Sequence, residues 1–135
     1  MTEQNVFELT NDSEVLHRQV HPNHHPKGAP SKQAFLPNEN DKNLLSTLRG
    51  RVSPAECYRR WTVDLGNSSV GTYGVSVGEC TLADLSAIDD EAAISVPDHA
   101  SVDFSHHETR GQKEQRARKI RAAATSRGIL YDPPM

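Results

Sequence analysis

The chain has 135 residues, 35% of them hydrophobic and 24% charged, with a formal net charge of −3. That is enough for one modest core, and it excludes any bulk attraction to nucleic acid or anionic membrane. With one Trp, three Tyr and three Phe, the interior must come mainly from Val, Leu, Ile and Ala. No apolar run approaches the roughly 18 residues of a membrane span, and Met1 to Asn5 lacks the basic and apolar character of a leader. A cytoplasmic protein is therefore expected.

Residues 1–12 are polar and sparsely apolar, which predicts a flexible N-terminal arm. From Val15 to His21 the chain alternates, with Leu16, Arg18 and Val20 on one face and His17, Gln19 and His21 on the other. This is a strand pattern, ended by Pro22. Pro22, Pro26, Gly28 and Pro30 make 22–31 an irregular loop. Ser31 to Leu36 is expected as a short strand before Pro37, residues 38–43 as a polar turn, and Leu44 to Leu48 as another strand. Ser53-Pro54-Ala55-Glu56 has the residues of a capping box with Pro at the first helical position, predicting a helix over 54–64.

Thr72 to Cys80 alternates again, with Tyr73, Val75 and Val77 sharing a face, and Thr81 is placed to cap one or two turns through Leu85. Asp89 to Pro97 is expected as an acidic loop and His99 to Phe104 as a strand. Thr109 starts a basic helix over 110–127 that Gly128 stops. Ile129 to Tyr131 is expected as a last strand, and 132–135 as a tail. These elements predict a small α+β fold, a single domain over 13–131, with a mixed or antiparallel sheet and two main helices on one face.

Charge is unevenly laid out. No Lys or Arg occurs from Trp61 to Thr109, where Asp64, Glu79, Asp84, Asp89, Asp90, Glu91, Asp98, Asp103 and Glu108 lie. From Arg110 to Arg127 seven cations face Glu114 alone. Mutual neutralisation within the fold is the expectation. A helix packed by Ala117, Ile120 and Ala124 points only Arg118 and Lys119 outward, too few cations for a phosphate track, so nucleic acid is disfavoured as a partner. Its apolar side carries no Trp, Phe or Leu, so no membrane contact is expected either. Cys57 and Cys80, 23 residues apart, form neither a metal motif nor a disulfide framework.

His21-Pro22, Gly28, Ser31-Lys-Gln-Ala-Phe35 with Pro37, Asp41, Leu45-Ser46, the Ser53-Pro54 helix, Val75 to Cys80 and His99-Ala100 with Asp103 ahead of a basic helix together form a pattern. In it the chain resembles a family of small uncharacterised bacterial proteins, from about Leu16 to Tyr131. The resemblance implies a bacterial, stand-alone, single-domain protein and no catalytic residues.

The segment from Val15 to Pro26 concentrates four of the seven histidines. Imidazole suits zinc, but four residues along a strand at about 3.3 Å each set His17 and His21 roughly 13 Å apart, so neither a metal nor another cofactor is expected. Two functional classes follow. A binding or accessory protein would act through another protein, with Arg18, His21, Lys32 and Gln33 as candidate contacts. A small enzyme on a phosphate-containing or nucleotide substrate would instead use His17, Arg18 and His21 for proton transfer and charge. Ser31 and Glu79 would join them if their segments are neighbours. Arg18, directed inward, needs an acid such as Glu79 or Asp103, or backbone carbonyls.

Overall fold

The computed structural model describes residues 5–38 and 42–134. The start of the expected arm, part of the polar turn at 39–41 and the last residue of the tail lie outside the described residues. The architecture is the expected α+β class and the sheet is wholly antiparallel, but its two main helices do not share a face: the one from Pro54 packs on the side of His17 and the one from Arg110 on the side of Leu16. Its strands are β1 (Phe7–Glu8), β2 (Val15–Gln19), β3 (Leu44–Leu48), β4 (Thr72–Ser76), β5 (Ser86–Asp89) and β6 (His99–Asp103). They run in the order β1-β5-β6-β3-β2-β4. The helices are α1 (Pro54–Arg59), α2 (Val77–Leu82), α3 (Glu91–Ile94) and α4 (Arg110–Arg127). No helix is long and apolar enough to cross a membrane among the described residues.

Alternation sets the two faces. Leu16 of β2 with Val20 just beyond it, Leu45 of β3, Val75 of β4 and Val102 of β6 lie toward one face and are fully or almost fully buried. α2 and α4 close this face with Val77, Cys80, Ala117, Ile120 and Ala124. Ala117, Ile120 and Ala124 are the expected stripe of α4, and Arg118 and Lys119 are exposed as that stripe requires. Thr109 accepts from the Gln112 amide while Gln112 accepts from the Thr109 amide, and Gly128 ends the helix at φ 89°. Over the centre of β4 the C-terminal segment lies so close that a Cβ on Gly74 would sit 2.6 Å from Leu130 Cδ1.

Several expectations are corrected. Ser31 to Leu36 is not a strand: Lys32–Phe35 forms a 3₁₀ turn, which buries the adjacent Ala34 and Phe35 together, as an alternating strand cannot. The strand from Thr72 stops at Ser76, because Ser76 and Glu79 make a reciprocal capping box that starts α2. Thr81 therefore lies inside that helix, its hydroxyl donating to Val77 O, and does not cap it. Within Asp89 to Pro97, expected as a loop, Glu91–Ile94 forms α3, and β5, which the expected elements leave out, ends at Asp89. Phe7 and Glu8, within the expected arm, pair with Asp89 and Ile88. Of the expected last strand only Tyr131 pairs, through a single bridge to Thr72. Ser53 does cap α1, accepting from Glu56 N at 3.1 Å, but the Glu56 carboxylate turns away to Arg59 and Arg60.

The sheet is unevenly stitched. β2 pairs with β4 at five register positions and β3 with β6 at five, yet β2 and β3 meet at one, His17 opposite Leu48. Beyond it the two strands diverge and leave a seam.

Candidate functional site

Arg18 fills the upper part of that seam. Its Nε donates to Ala34 O and its Nη1 to Ser46 O, both at 2.9 Å. The bond to Ser46 does across the gap what backbone amides do elsewhere in the sheet, and the bond to Ala34 ties β2 to the 3₁₀ turn. The carbonyl partners are one of the two outcomes that an inward Arg18 allows. The acids of the other outcome are engaged elsewhere, Glu79 by Arg127 and Asp103 by the Ser105 amide. Because the backbones separate, the second face of the sheet opens into a groove of about 920 Å³.

The floor of the groove is a row across three strands, His17, Leu48 and His99, placed side by side by the register. One wall is α1 and its continuation. Arg60–Asp64 forms a turn of π-helix in which Leu65 N donates to Arg60 O, five residues back, at 3.1 Å. That wider turn shifts the helix's side-chain register, and Trp61 and Leu65 both line the groove. The opposite wall carries Ile94, Val96 and Pro97, and His21 and His24 also line the opening, their rings 5.9 Å apart.

Ion pairs fix the walls. Arg60 bonds Glu56 and Asp98, both at 3.0 Å, joining α1 to the segment before β6. Arg59 pairs with Glu56 and Asp64, and Arg51 with Asp98. Hydrogen bonds from Arg59 and then Arg60 hold the Glu56 carboxyl down at about 2. Apart from these pairs, Arg18, the histidines and Gln19, Ser46 and Thr47, the lining side chains are apolar, and Leu65, Ile94 and Val96 remain 65%, 46% and 40% exposed.

Of the histidines in the floor, His17 is spent. Its Nδ1 lies 3.5 Å from Cys57 Sγ, and burial lowers its pKa despite a hydrogen bond with the Val52 backbone, which raises it. Burial pushes the Cys57 thiol up to about 12, so this pair is a neutral packing contact and no thiolate nucleophile. His99 is different. Its Nδ1 lies 2.7 Å from Asp90 Oδ1, and Ser101 Oγ donates to Asp90 Oδ2 at 2.6 Å. Burial raises the pKa of Asp90, but hydrogen bonds from His99 and Ser101 outweigh that and leave it below its ordinary value.

The structure brings His17, Arg18 and His21 to one groove and leaves the other candidates outside its lining. Ser31 sits before the 3₁₀ turn with its amide donating to His24 O. Lys32 pairs with Glu114 of α4 at 3.1 Å. Gln33 is exposed, and its carbonyl accepts from Leu36 N. Glu79 closes the α2 cap and pairs with Arg127 at 2.7 Å. Sequence reasoning passed over Trp61, Leu65, Asp90 and His99. The one signal for the last was its alternation with Ser101, which puts both on a single face; nothing local marks Asp90.

The basic helix finds several partners within the fold. Arg110 and Glu114 pair along it, Arg127 reaches Glu79, Arg116 lies 3.6 Å from Asp84, and Arg121 donates to Pro30 O. Among the described residues no group of three His, Cys, Asp or Glu side chains is placed to hold a metal ion. No protein-family model, no curated protein and no solved structure matches the chain, so the groove is interpreted from its own chemistry.

Proposed function

We propose that this is a small bacterial, cytoplasmic protein that acts by binding, its groove receiving a segment of another protein. The observation that carries the reading is the exposure of Leu65, Ile94 and Val96 on facing walls of one concave site. Large apolar side chains left in water on both sides of a cleft are what a partner's side chains would bury. The ion pairs behind the walls hold the opening in shape before anything enters, which lowers the ordering cost of association.

The competing reading, a small enzyme on a phosphate-containing or nucleotide substrate, has in its favour that His17, Arg18 and His21 share the groove. Against it weigh the engaged state of His17, the protonated Cys57 and the pairing of the guanidinium groups.

Photo-crosslinking in the native host tests the primary reading. A benzoylphenylalanine placed at Leu65 or at Val96 is expected to capture one and the same protein. The same probe at Leu82, exposed on α2 away from the groove, is expected not to capture it. Capture of that protein equally from all three positions would overturn the groove as the binding site.

A further inference from the structure

Asp90 is 3% exposed and does not line the groove, whereas His99, two strands from His17 in the floor, does. An ionised carboxylate only accepts hydrogen bonds, so the Nδ1 of His99 must carry the proton that lies toward Asp90. In the neutral ring the lone pair is then on Nε2, on the far side from Asp90. Nε2 has no hydrogen-bond partner among the described residues. A buried carboxylate that accepts from both a serine hydroxyl and an imidazole fixes the ring's tautomer and its orientation. Well-packed apolar residues would hold β5 to β6 at least as well, so the pair invites a reason beyond stability.

The charges around it narrow what the ring can meet. Arg59 is held by Glu56 and Asp64, Arg60 by Glu56 and Asp98, and Arg18 by two carbonyls. Beside His21 and His24 at its opening, the groove therefore offers an occupant mostly apolar walls and, in its floor, an acceptor of fixed orientation, with its cations already paired. A phosphate or carboxylate entering it would have to break those pairs, and a neutral apolar segment would not.

We propose that Asp90 and His99 form the recognition element of the groove: an acceptor of fixed tautomer that selects a partner segment whose buried part is apolar, uncharged and carries one N–H donor, as an exposed backbone amide does. This rests on the groove being the partner site. An acceptor held in the floor of a mostly apolar cleft discriminates, because an occupant without a donor leaves it unpaired.

The test uses two small neutral amides as probes of the folded full chain, N-butylhexanamide and its N-methyl derivative, which differ only in the donor. Trp61, the single Trp of the chain, lies in the wall and reports occupancy by its emission. The secondary amide is expected to bind at least fivefold more tightly than the tertiary one. Asp90→Asn should abolish that preference, since an amide NH2 at position 90 donates to Nδ1 and moves the ring proton to Nε2, making it a donor that either carbonyl can meet. Equal binding of the two probes to the unmodified protein, or a preference that survives Asp90→Asn, would overturn the recognition element while leaving the groove reading intact. Failure of both probes to perturb Trp61 would overturn both. Should Asp90→Asn not fold, ring ¹⁵N spectra of the unmodified protein decide: a neutral His99 protonated at Nδ1 is expected, and one protonated at Nε2 sinks the proposal.

Discussion

The two faces of the sheet are covered by different means. On one, α2 and α4 press Val77, Cys80, Ala117, Ile120 and Ala124 onto Leu16, Val20, Leu45, Val75 and Val102, and the contact is close-packed. On the other, α1 and the segment around α3 stand apart on paired charges, leaving apolar side chains in water between them. The first arrangement is what stability asks for; the second spends ordered structure on keeping a cleft open. Stability and recognition are thus assigned to opposite sides of one layer.

Substitutions on the two faces should separate these roles. Phe104, fully buried in the closed core, should cost about 3–5 kcal/mol when changed to Ala, while Leu65→Ala on the groove wall should stay within about 0.5 kcal/mol. Urea unfolding of both variants would break the comparison if the costs came out alike. Arg18→Ala, which removes one charge-assisted hydrogen bond to β3 and one to the 3₁₀ turn, should cost about 2 kcal/mol. Arg18→Lys should recover little of it, because one ammonium cannot reach two carbonyls in the geometry of a guanidinium fork; a lysine variant as stable as the parent would refute the bridging role.

Ser53→Ala should cost about 1 kcal/mol through the lost cap on α1, and an unchanged urea midpoint would count against the cap. The smallest effect expected is on the wall's charges in acid. Glu56 has a folded pKa depressed from 4.5 to about 2 by Arg59 and Arg60. The stabilisation from its ion pairs is therefore present above pH 4.5 and lost as pH falls through about 2. Asp98 is lowered in the same direction by Arg51 and Arg60. Trp61 emission should accordingly shift across that acid range as the wall loosens, and a flat profile would show that the wall does not depend on these pairs.

Much of the closed face is legible in the sequence, because it depends on local patterns. Alternation marks β2 and the Val102–Phe104 spacing β6, a short apolar run marks β3, and Ser53, Thr109 and Gly128 mark the ends of helices. The misread stretches are those where two local signals compete. Ser76-Val-Gly-Glu79 continues an alternation and also spells a cap, and the cap wins because it satisfies amides that the strand could not. β5 is hidden for a different reason. Only four residues long, it owes its existence to pairing with β6 on one side and with the distant β1 on the other. The groove is legible in its parts alone: His17, Arg18 and His21 stand out by type, but the divergence of β2 from β3 is a matter of register. The Asp90–His99 pair spans a helix and a turn, so neither residue announces the other.

The single bridge between β2 and β3 gives the sheet the mechanics of two panels on one pin. The panel of β2 and β4 carries α1, and hence the Trp61 wall; the panel of β3, β6 and β5 carries the segment with Ile94 and Val96. Where the ladder between the panels is missing, side chains join them instead: Arg60 reaches Asp98 from wall to wall, and Arg18 reaches Ser46 O of β3. The width of the cleft is thereby held by two guanidinium groups, one in the floor and one in the wall, at the place where the backbone ladder stops.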